Sequence, residues 1–321
     1  MKFILHLLLL TALLMLFYTG TNAQDITPGI HPKDSASKKE SYFKLNGNYL
    51  SNAIYSGRGD SAAVPYMRSS IGYYDKSGFH IDAGASLLLN ATDTKRIDLI
   101  TLEAGYAFKI SKKMEGEISA SKFFYTDASY AVTSELQAIT GADVGYDLGP
   151  VSLNAGAELL FSSNTDIATG FKVAHYFEKW PVQKRWTVSP AIELNAGTQY
   201  FNEAYYKNRK FTFTTSGSPG NNGNGHPRRG HSNSGNSGSN STIIKTLVFH
   251  TKNKFTLLDY EFSLPITYET RRWCLYTTPV FAIPVNPATY AVDGVLRKEN
   301  LSNRFFIEIG AYVKFYTRKK V

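Results

Sequence analysis

The chain has 321 residues, 14% of them aromatic and 19% charged, and its formal net charge is +9. A mean hydropathy of −0.24 excludes a bundle of transmembrane helices, which would be far more apolar. Cys274 is the only cysteine, which excludes an internal disulfide framework. No recognition motif accompanies the basic charge, so we expect no nucleic-acid partner.

The first segment, 1–23, has the pattern of a secretory signal peptide. Lys2 precedes an apolar stretch over 3–18, and small residues then offer a cleavage site. The alternative is an uncleaved anchor helix, but the stretch is shorter than a membrane span requires. Residues 24–41 are polar and have no periodicity, so we predict a disordered periplasmic leader.

After the leader, aromatic and β-branched residues alternate with polar ones, which predicts a series of strands. The predicted strands run over 42–55, 65–75, 79–90, 96–110, 114–125, 134–147, 151–162, 166–178, 186–201, 255–269, 273–285 and 304–317. One face of each can meet lipid and the other water. The alternation assigns Asp98, at the membrane edge, and Leu258 to the lipid-facing side.

Loop length is sorted by position along the chain. Every second connection is short, namely 75–78, 111–113, 148–150, 179–185 and 270–272, whereas the others include 56–64, 126–133, 202–254 and 286–303. Short periplasmic turns and longer external loops are typical of transmembrane barrels. The sequence therefore predicts an all-β fold, a transmembrane up-and-down antiparallel β-barrel of about twelve strands over 42–321. An even strand number places both termini in the periplasm.

The longest connection, 202–254, is predicted to be an extracellular loop. Its centre, 216–241, is rich in Gly, Ser and Asn, which indicates a disordered tip. The flanks 209–215 and 242–250 have strand character. We therefore expect the ninth and tenth strands to continue beyond the membrane as one hairpin.

The last predicted strand contains a polar residue, a Gly, an apolar residue and an aromatic residue at Glu308, Gly310, Val313 and Phe315. This resembles the β-signal by which the barrel-assembly machinery recognises the final strand of Gram-negative outer-membrane β-barrel proteins. The resemblance implies an outer-membrane location, contact with lipid and lipopolysaccharide, and the barrel-assembly machinery as a partner. The alternative is a twelfth strand without a signalling role.

The alternation assigns more acids than bases to the lumen. The predicted lumen-facing acids are Asp82, Glu103, Glu117, Glu135, Asp143, Glu158, Glu193, Asp259, Glu261 and Glu308, and the clearest bases are Lys44, Arg68, Lys172 and Lys314. Inward glycines are expected to add little bulk. An acidic lumen favours cations over anions, so we hypothesise a passive channel for small polar solutes or cations. The alternative is a lumen filled by salt bridges and water.

Two other functions stay open. A non-conducting structural or surface-interaction barrel would use the long external loop, and a lipid-modifying enzyme would need a catalytic His or Ser that the sequence does not nominate. We expect no catalytic residue, metal site or cofactor. Candidate lipopolysaccharide contacts near the outer rim are Lys95, Arg96, Lys207, Arg209 and Lys210. The tripeptide 58–60 spells an integrin-type motif, but a glycine turn is the preferred interpretation.

Overall fold

The computed structural model describes a closed antiparallel barrel and the inner parts of its external loops. The described residues are 40–60, 63–89, 96–127, 129, 131–177, 185–203, 212–214, 241–243, 247–251, 253–292 and 294–317. The predicted signal peptide, most of the leader and nearly all of the loop tip 216–241 lie outside them. Within this part of the chain, no helix is both long and apolar enough to cross a membrane.

Twelve wall strands form the barrel, two of them interrupted. They are β1 (Tyr42–Leu50), β2 (Tyr66–Tyr74), β3 (Phe79–Leu88), β4 (Arg96–Lys109), β5 (Met114–Tyr125), β6 (Ala138–Asp147), β7 (Val151–Phe161), β8 (Thr165–His175), β9 (Trp186–Val188) continued by β10 (Ala191–Gly197), β14 (Thr256–Ser263) continued by β15 (Ile266–Glu269), β16 (Trp273–Pro284) and β19 (Arg304–Tyr316). Each pairs with its sequence neighbour, and β1 pairs with β19, which closes the sheet. The predicted fold class is confirmed.

The two faces of the wall differ as the alternation predicts. Large apolar side chains such as Phe43, Ile192 and Phe262 are exposed on the outside, where lipid would cover them. Polar side chains at the intervening positions, such as Lys44 and Glu193, are buried on the inside. Full closure also leaves the wall without an unpaired strand edge.

At two β-bulges the side chains point to the opposite face from the one predicted. The register between β3 and β4 shifts after Ser86, which makes Asp98 an extra residue, and its side chain is completely buried. The register between β10 and β14 shifts after Asn195, and Leu258 is 1% exposed. Asp98 and Leu258 were therefore wrongly assigned to the lipid-facing side, because an extra residue reverses a two-residue alternation.

The start of β1 and the end of β19 lie together, beside two of the short connections. The backbone N–H of Thr317 donates to the carbonyl of Ser41, and the Ser41 hydroxyl donates to Asp75 in the first short turn. The Arg271 side chain, in the last short turn, lies 3.0 Å from Glu40. The rule for transmembrane barrels, short periplasmic turns and longer external loops, predicts that this end is periplasmic.

The described parts of the external loops contain five short strands. They are β11 (Thr212–Thr214), β12 (Ser241–Ile243), β13 (Leu247–Phe249), β17 (Thr289–Val292) and β18 (Val295–Lys298). β11 pairs with β12, but β13 pairs with β17 of the last external loop. The expected single hairpin over 209–250 is therefore divided between two small sheets. A helical turn at 200–203 also separates β10 from β11.

Candidate functional site

The first external loop folds back into the mouth of the barrel. Residues 53–60, here called the plug, leave the wall where β1 ends, so the predicted first strand of 42–55 was too long. Tyr55 and Arg58 exchange two backbone hydrogen bonds of 2.8 and 2.9 Å, which makes a tight turn. Ser56 and Gly57 between them have φ values of 46° and 70°, a region that glycine adopts readily.

The plug reaches across the lumen. Ile54 packs in an apolar cluster with wall residues of the β1, β2, β3, β16 and β19 side, among them Leu50, Leu88 and Phe306. The next residue, Tyr55, packs in a second cluster on the β4 to β8 side, which includes Leu160. Consecutive residues of one loop therefore contact both sides of the barrel, and their burial excludes water from the mouth.

Other external loops complete the second cluster. Val132 and Leu136, in the loop after β5, and Phe201, in the helical turn after β10, join Tyr55 there. The rings of Tyr55 and Phe201 meet edge to face with centroids 4.9 Å apart. Edge-to-face contact is a favoured arrangement for aromatic pairs.

Asp166 at the external end of β8 holds the helical turn in place. Its carboxylate accepts hydrogen bonds from the backbone N–H groups of Tyr200 and Phe201, at 2.7 and 2.6 Å, and from the Thr198 hydroxyl. The first N–H groups of a helical turn have no partners within the turn, so a carboxylate from a neighbouring strand can cap it. This contact positions Phe201 against the plug.

A buried ion pair, here called the latch, ties the plug to the last external loop. The Nε of Arg58 lies 3.3 Å from an Oε of Glu299, and the two side chains are 2% and 5% exposed. The remaining Arg58 nitrogens donate to the carbonyls of Ser56, Leu258, Val285 and Asn286.

Glu299 also accepts hydrogen bonds from outside the ion pair. The Asn202 side-chain amide donates to it at 3.1 Å and the Ala288 N–H at 3.0 Å. The latch therefore joins three external loops. Beside it lies a cavity of about 30 Å³, which has room for only one or two water molecules.

Acids line the wall directly beneath the plug. Asn195 and Glu193 of β10 are paired with Asp259 and Glu261 of β14, and all four point inward. Lys172 of β8 lies 2.8 Å from the Glu193 carboxylate.

A second polar cluster lies across β3, β4 and β5. The His80 Nε2 is 3.7 Å from Glu103 and 3.6 Å from Glu117. The His80 ring stacks on that of Tyr74, with centroids 5.3 Å apart. Within the part of the chain that the structure describes, no three His, Cys, Asp or Glu side chains are arranged to hold a metal ion.

Bases occupy the adjoining wall of β19, β1 and β2. Lys44 lies over the ring of Tyr74 at 4.5 Å and Lys314 lies over that of Tyr312 at 5.2 Å, so aromatic rings cover both ammonium groups. Lys314 also contacts Glu269 at 3.0 Å. Arg68 contacts Glu308 at 3.1 Å.

Side chains lie along the wall over inward glycines of the adjacent strand. A Cβ on Gly72 would meet the Asp82 carboxylate, one on Gly156 would meet that of Asp143, and one on Gly105 would meet the His80 ring. These inward glycines, expected to add little bulk, therefore have a second effect. They provide room for large polar side chains to lie flat.

Nine of the ten predicted lumen acids are on inward positions of wall strands. Glu135 is the exception, because β6 begins only at Ala138 and Glu135 lies in the external turn before it. The part that these acids play in conduction stays a prediction. Of the proposed lipopolysaccharide contacts, Arg96 lies 3.4 Å from Asp98, whereas Lys95, Lys207, Arg209 and Lys210 lie outside the described residues.

The predicted assembly signal divides between the two faces of β19. Val313 and Phe315 are exposed on the outer face. Glu308 points inward, where Arg68, Asn48 and the Tyr276 hydroxyl contact it, and the inward Gly310 leaves room for the Tyr276 ring. Glu308 therefore also binds side chains of three neighbouring strands, and the signalling role stays a prediction.

Sequence reasoning missed the plug. The tripeptide 58–60 is a glycine turn, but Arg58 and Asp60 are only 3% and 2% exposed and cannot act as a surface ligand. The available signal was an arginine and an aspartate beside two glycines and an apolar run, Ala53-Ile54-Tyr55, in a loop expected to be external.

Comparison with known proteins found similar solved structures but no related sequence. No protein-family model and no curated protein matches the sequence. Among solved structures, the chain is similar to a KdgM porin (9% identity, 85% of this chain and 99% of the other, TM-score 0.43). It is also similar to LpxR from Salmonella typhimurium (8%, 85% and 100%, 0.42) and to a CymD monoaromatic hydrocarbon channel (9%, 90% and 92%, 0.34).

The outer surface indicates where the barrel resides. A closed barrel with an apolar exterior and a polar interior is suited to span the outer membrane. The chain therefore folds as a membrane-spanning β-barrel of the outer-membrane type.

Proposed function

We propose that the protein is an outer-membrane channel for small cations whose external mouth is closed by the plug in this conformation. The observation that carries the proposal is that Ile54 and Tyr55 pack on opposite sides of the barrel. Closure therefore comes from a loop that crosses the mouth. A loop can move outward while every wall strand keeps its hydrogen-bonded neighbours.

The preference for cations comes from acidic side chains on the part of the wall opposite the basic strands β19, β1 and β2. Glu117, Asp143 and Glu158 point inward from β5, β6 and β7, and each is partly exposed to solvent. The inward ammonium groups of Lys44 and Lys314, in contrast, belong to side chains only 6% exposed. An ion in the lumen beneath the plug would therefore meet these carboxylates more readily than those two ammonium groups, and the more exposed Lys172 is paired with Glu193, which together favours cations.

Planar-bilayer recording tests the proposal. We compare the native barrel with a variant in which 52–60 is replaced by a Gly/Ser linker of the same length. The native barrel is expected to be mostly silent, and the linker variant to give stepwise, cation-selective currents. A similar replacement in the exposed external turn 162–164 is the matched control and should stay silent. A linker variant that inserts and folds but remains sealed would contradict the proposal.

Selectivity gives a second measurement on the same variant. Glu117→Gln with Glu158→Gln should shift its reversal potential towards that of a non-selective pore. An unchanged reversal potential would show that these acids do not select the ion.

One observation favours a second candidate, a non-conducting surface-interaction barrel. In the external strand β18, Val295 and Leu296 are 58% and 65% exposed, although neither faces lipid in the wall. If the linker variant stays sealed, loss of binding to cells or envelope components after Val295→Ser with Leu296→Ser would support this candidate.

A further inference from the structure

The wall beneath the plug contains polar atoms that no described residue satisfies. Asp259 is completely buried, and both of its carboxylate oxygens lack a hydrogen-bond partner among the described residues. Asn195, its register partner, is 1% exposed and lies close to the Asp259 carboxylate, but its amide oxygen and nitrogen make no hydrogen bond of normal geometry with a described residue. One carboxylate oxygen of Glu261 also makes no hydrogen bond with a described residue. Buried polar atoms are nearly always satisfied, so such a group calls for an additional bound species.

The plug closes this group off from the external solvent. A Cβ on Gly57 would lie 3.1 Å from the Cβ of Asp259 and 2.7 Å from that of Pro284. The turn of the plug therefore rests directly on the wall at Asp259. An ionised carboxylate in such a dry place is strongly unfavourable unless a positive charge accompanies it.

The local charges leave two negative charges unbalanced. Glu193, Asp259 and Glu261 supply three carboxylates on adjacent inward positions, and Lys172 supplies one ammonium group, which contacts Glu193. Arg58 is close, but its guanidinium is paired with Glu299. A single divalent cation would neutralise the remaining charge.

The ligand chemistry identifies the class of cation. Asp259, Glu261 and Asn195 offer two carboxylates and one amide oxygen, and all of these are hard donors. Calcium binds such oxygens in flexible geometry, whereas zinc prefers nitrogen and sulfur, and magnesium demands a near-ideal octahedron. We propose that Asp259, Glu261 and Asn195 bind one calcium ion beneath the plug. The site does not depend on whether the barrel conducts.

Calorimetric titration of the complete folded barrel tests the site. The chain is refolded into detergent without lipopolysaccharide, because lipid phosphates would also bind calcium, and is treated with a chelator before calcium chloride is added. We expect one calcium per barrel. Asp259→Asn and Glu261→Gln should each weaken binding by roughly an order of magnitude, since affinity depends on ligand charge. The matched control Glu158→Gln, an inward acid on β7, should bind like the native barrel.

Three results would overturn the proposal. The first is no calcium binding by a native barrel shown to be folded by its heat-modifiable migration in gels, which would leave a proton shared between the carboxyl groups as the explanation. The second is unchanged binding in folded Glu261→Gln, a variant that stays informative if Asp259→Asn does not fold. The third is equal affinity for magnesium or sodium in parallel titrations, which would exclude a calcium site.

Discussion

Arg58→Ala should open the mouth of the barrel. The substitution removes the cation of the latch and leaves Glu299, whose side chain is 5% exposed, with Asn202 and Ala288 as its donors among the described residues. Removing one partner of a buried ion pair costs about 3–5 kcal/mol. Because two donors to Glu299 remain, we expect the lower end of that range. About 3 kcal/mol corresponds to a roughly 100-fold larger population of the displaced plug.

Thiol labelling measures that population. Ser56 is completely buried in the plug, so Ser56→Cys in a Cys274→Ala background reports each displacement by reacting with an impermeant maleimide added outside. The rate should rise roughly 100-fold when Arg58→Ala is added, because labelling follows the population of the displaced plug when the plug recloses faster than the maleimide reacts. Arg297→Ala, which removes an exposed external arginine, is the matched control. Equal rates with and without Arg58, in barrels that remain folded, would refute the role of the latch.

Three further predictions concern stability and assembly. Asp166→Ala leaves the backbone N–H donors of the helical turn unsatisfied and should lower the free energy of unfolding in urea by about 2 kcal/mol or more. Asp166→Asn keeps an acceptor oxygen and should lower the free energy of unfolding less. Hydrogen bonds from Ser77 hold the pKa of Asp75 below its ordinary value of 3.8. Asp75 therefore stabilises the folded state above that pH and loses this contribution as the pH falls further. Asp75→Asn should make unfolding less acid-sensitive below about pH 4 than in the native barrel. Phe315→Ala should reduce the amount of barrel in the outer-membrane fraction but not refolding in detergent, and an equal loss with Phe305→Ala, another exposed aromatic of β19, would contradict a specific assembly signal.

The barrel itself could be predicted because its physical constraints repeat along the chain. Each wall strand must present apolar side chains to lipid, so a two-residue alternation recurs in every strand. Connections at opposite ends differ in length, which predicted that β1 begins and β19 ends at the end with the short turns. These features are local, and one sequence is sufficient to show them.

The prediction of which side chains face lipid was wrong where the alternation was interrupted. Asp98 and Leu258 are both buried although the pattern placed them outside, because each is the extra residue of a bulge. A bulge depends on the register of the neighbouring strand, which a single segment does not reveal. Asp98 was recognisable as an acid at the edge of an apolar face. Its inward partners, the hydroxyls of Tyr66 and Ser129, belong to distant segments.

The plug could not be predicted from local pattern. Its latch joins residues 241 positions apart in the chain, and its apolar contacts come from both sides of the barrel. Apolar and polar residues do not alternate clearly over 53–55, but these residues could still be read as the end of the first predicted strand. Only closure of the barrel brings Glu299 over the mouth, where an inward loop can bind it.

Two-sided accessibility tests most directly whether the plug closes a lumen that is otherwise open to solvent. Ser56→Cys and Glu158→Cys, each as a single-thiol variant in the Cys274→Ala background, are labelled in oriented proteoliposomes with an impermeant maleimide from either side. We predict that the Glu158→Cys variant reacts from the periplasmic side only and that the Ser56→Cys variant reacts slowly from both sides. Rapid reaction of Glu158→Cys from the external side, or of Ser56→Cys in a barrel with an otherwise native plug, would contradict a mouth sealed by residues 53–60.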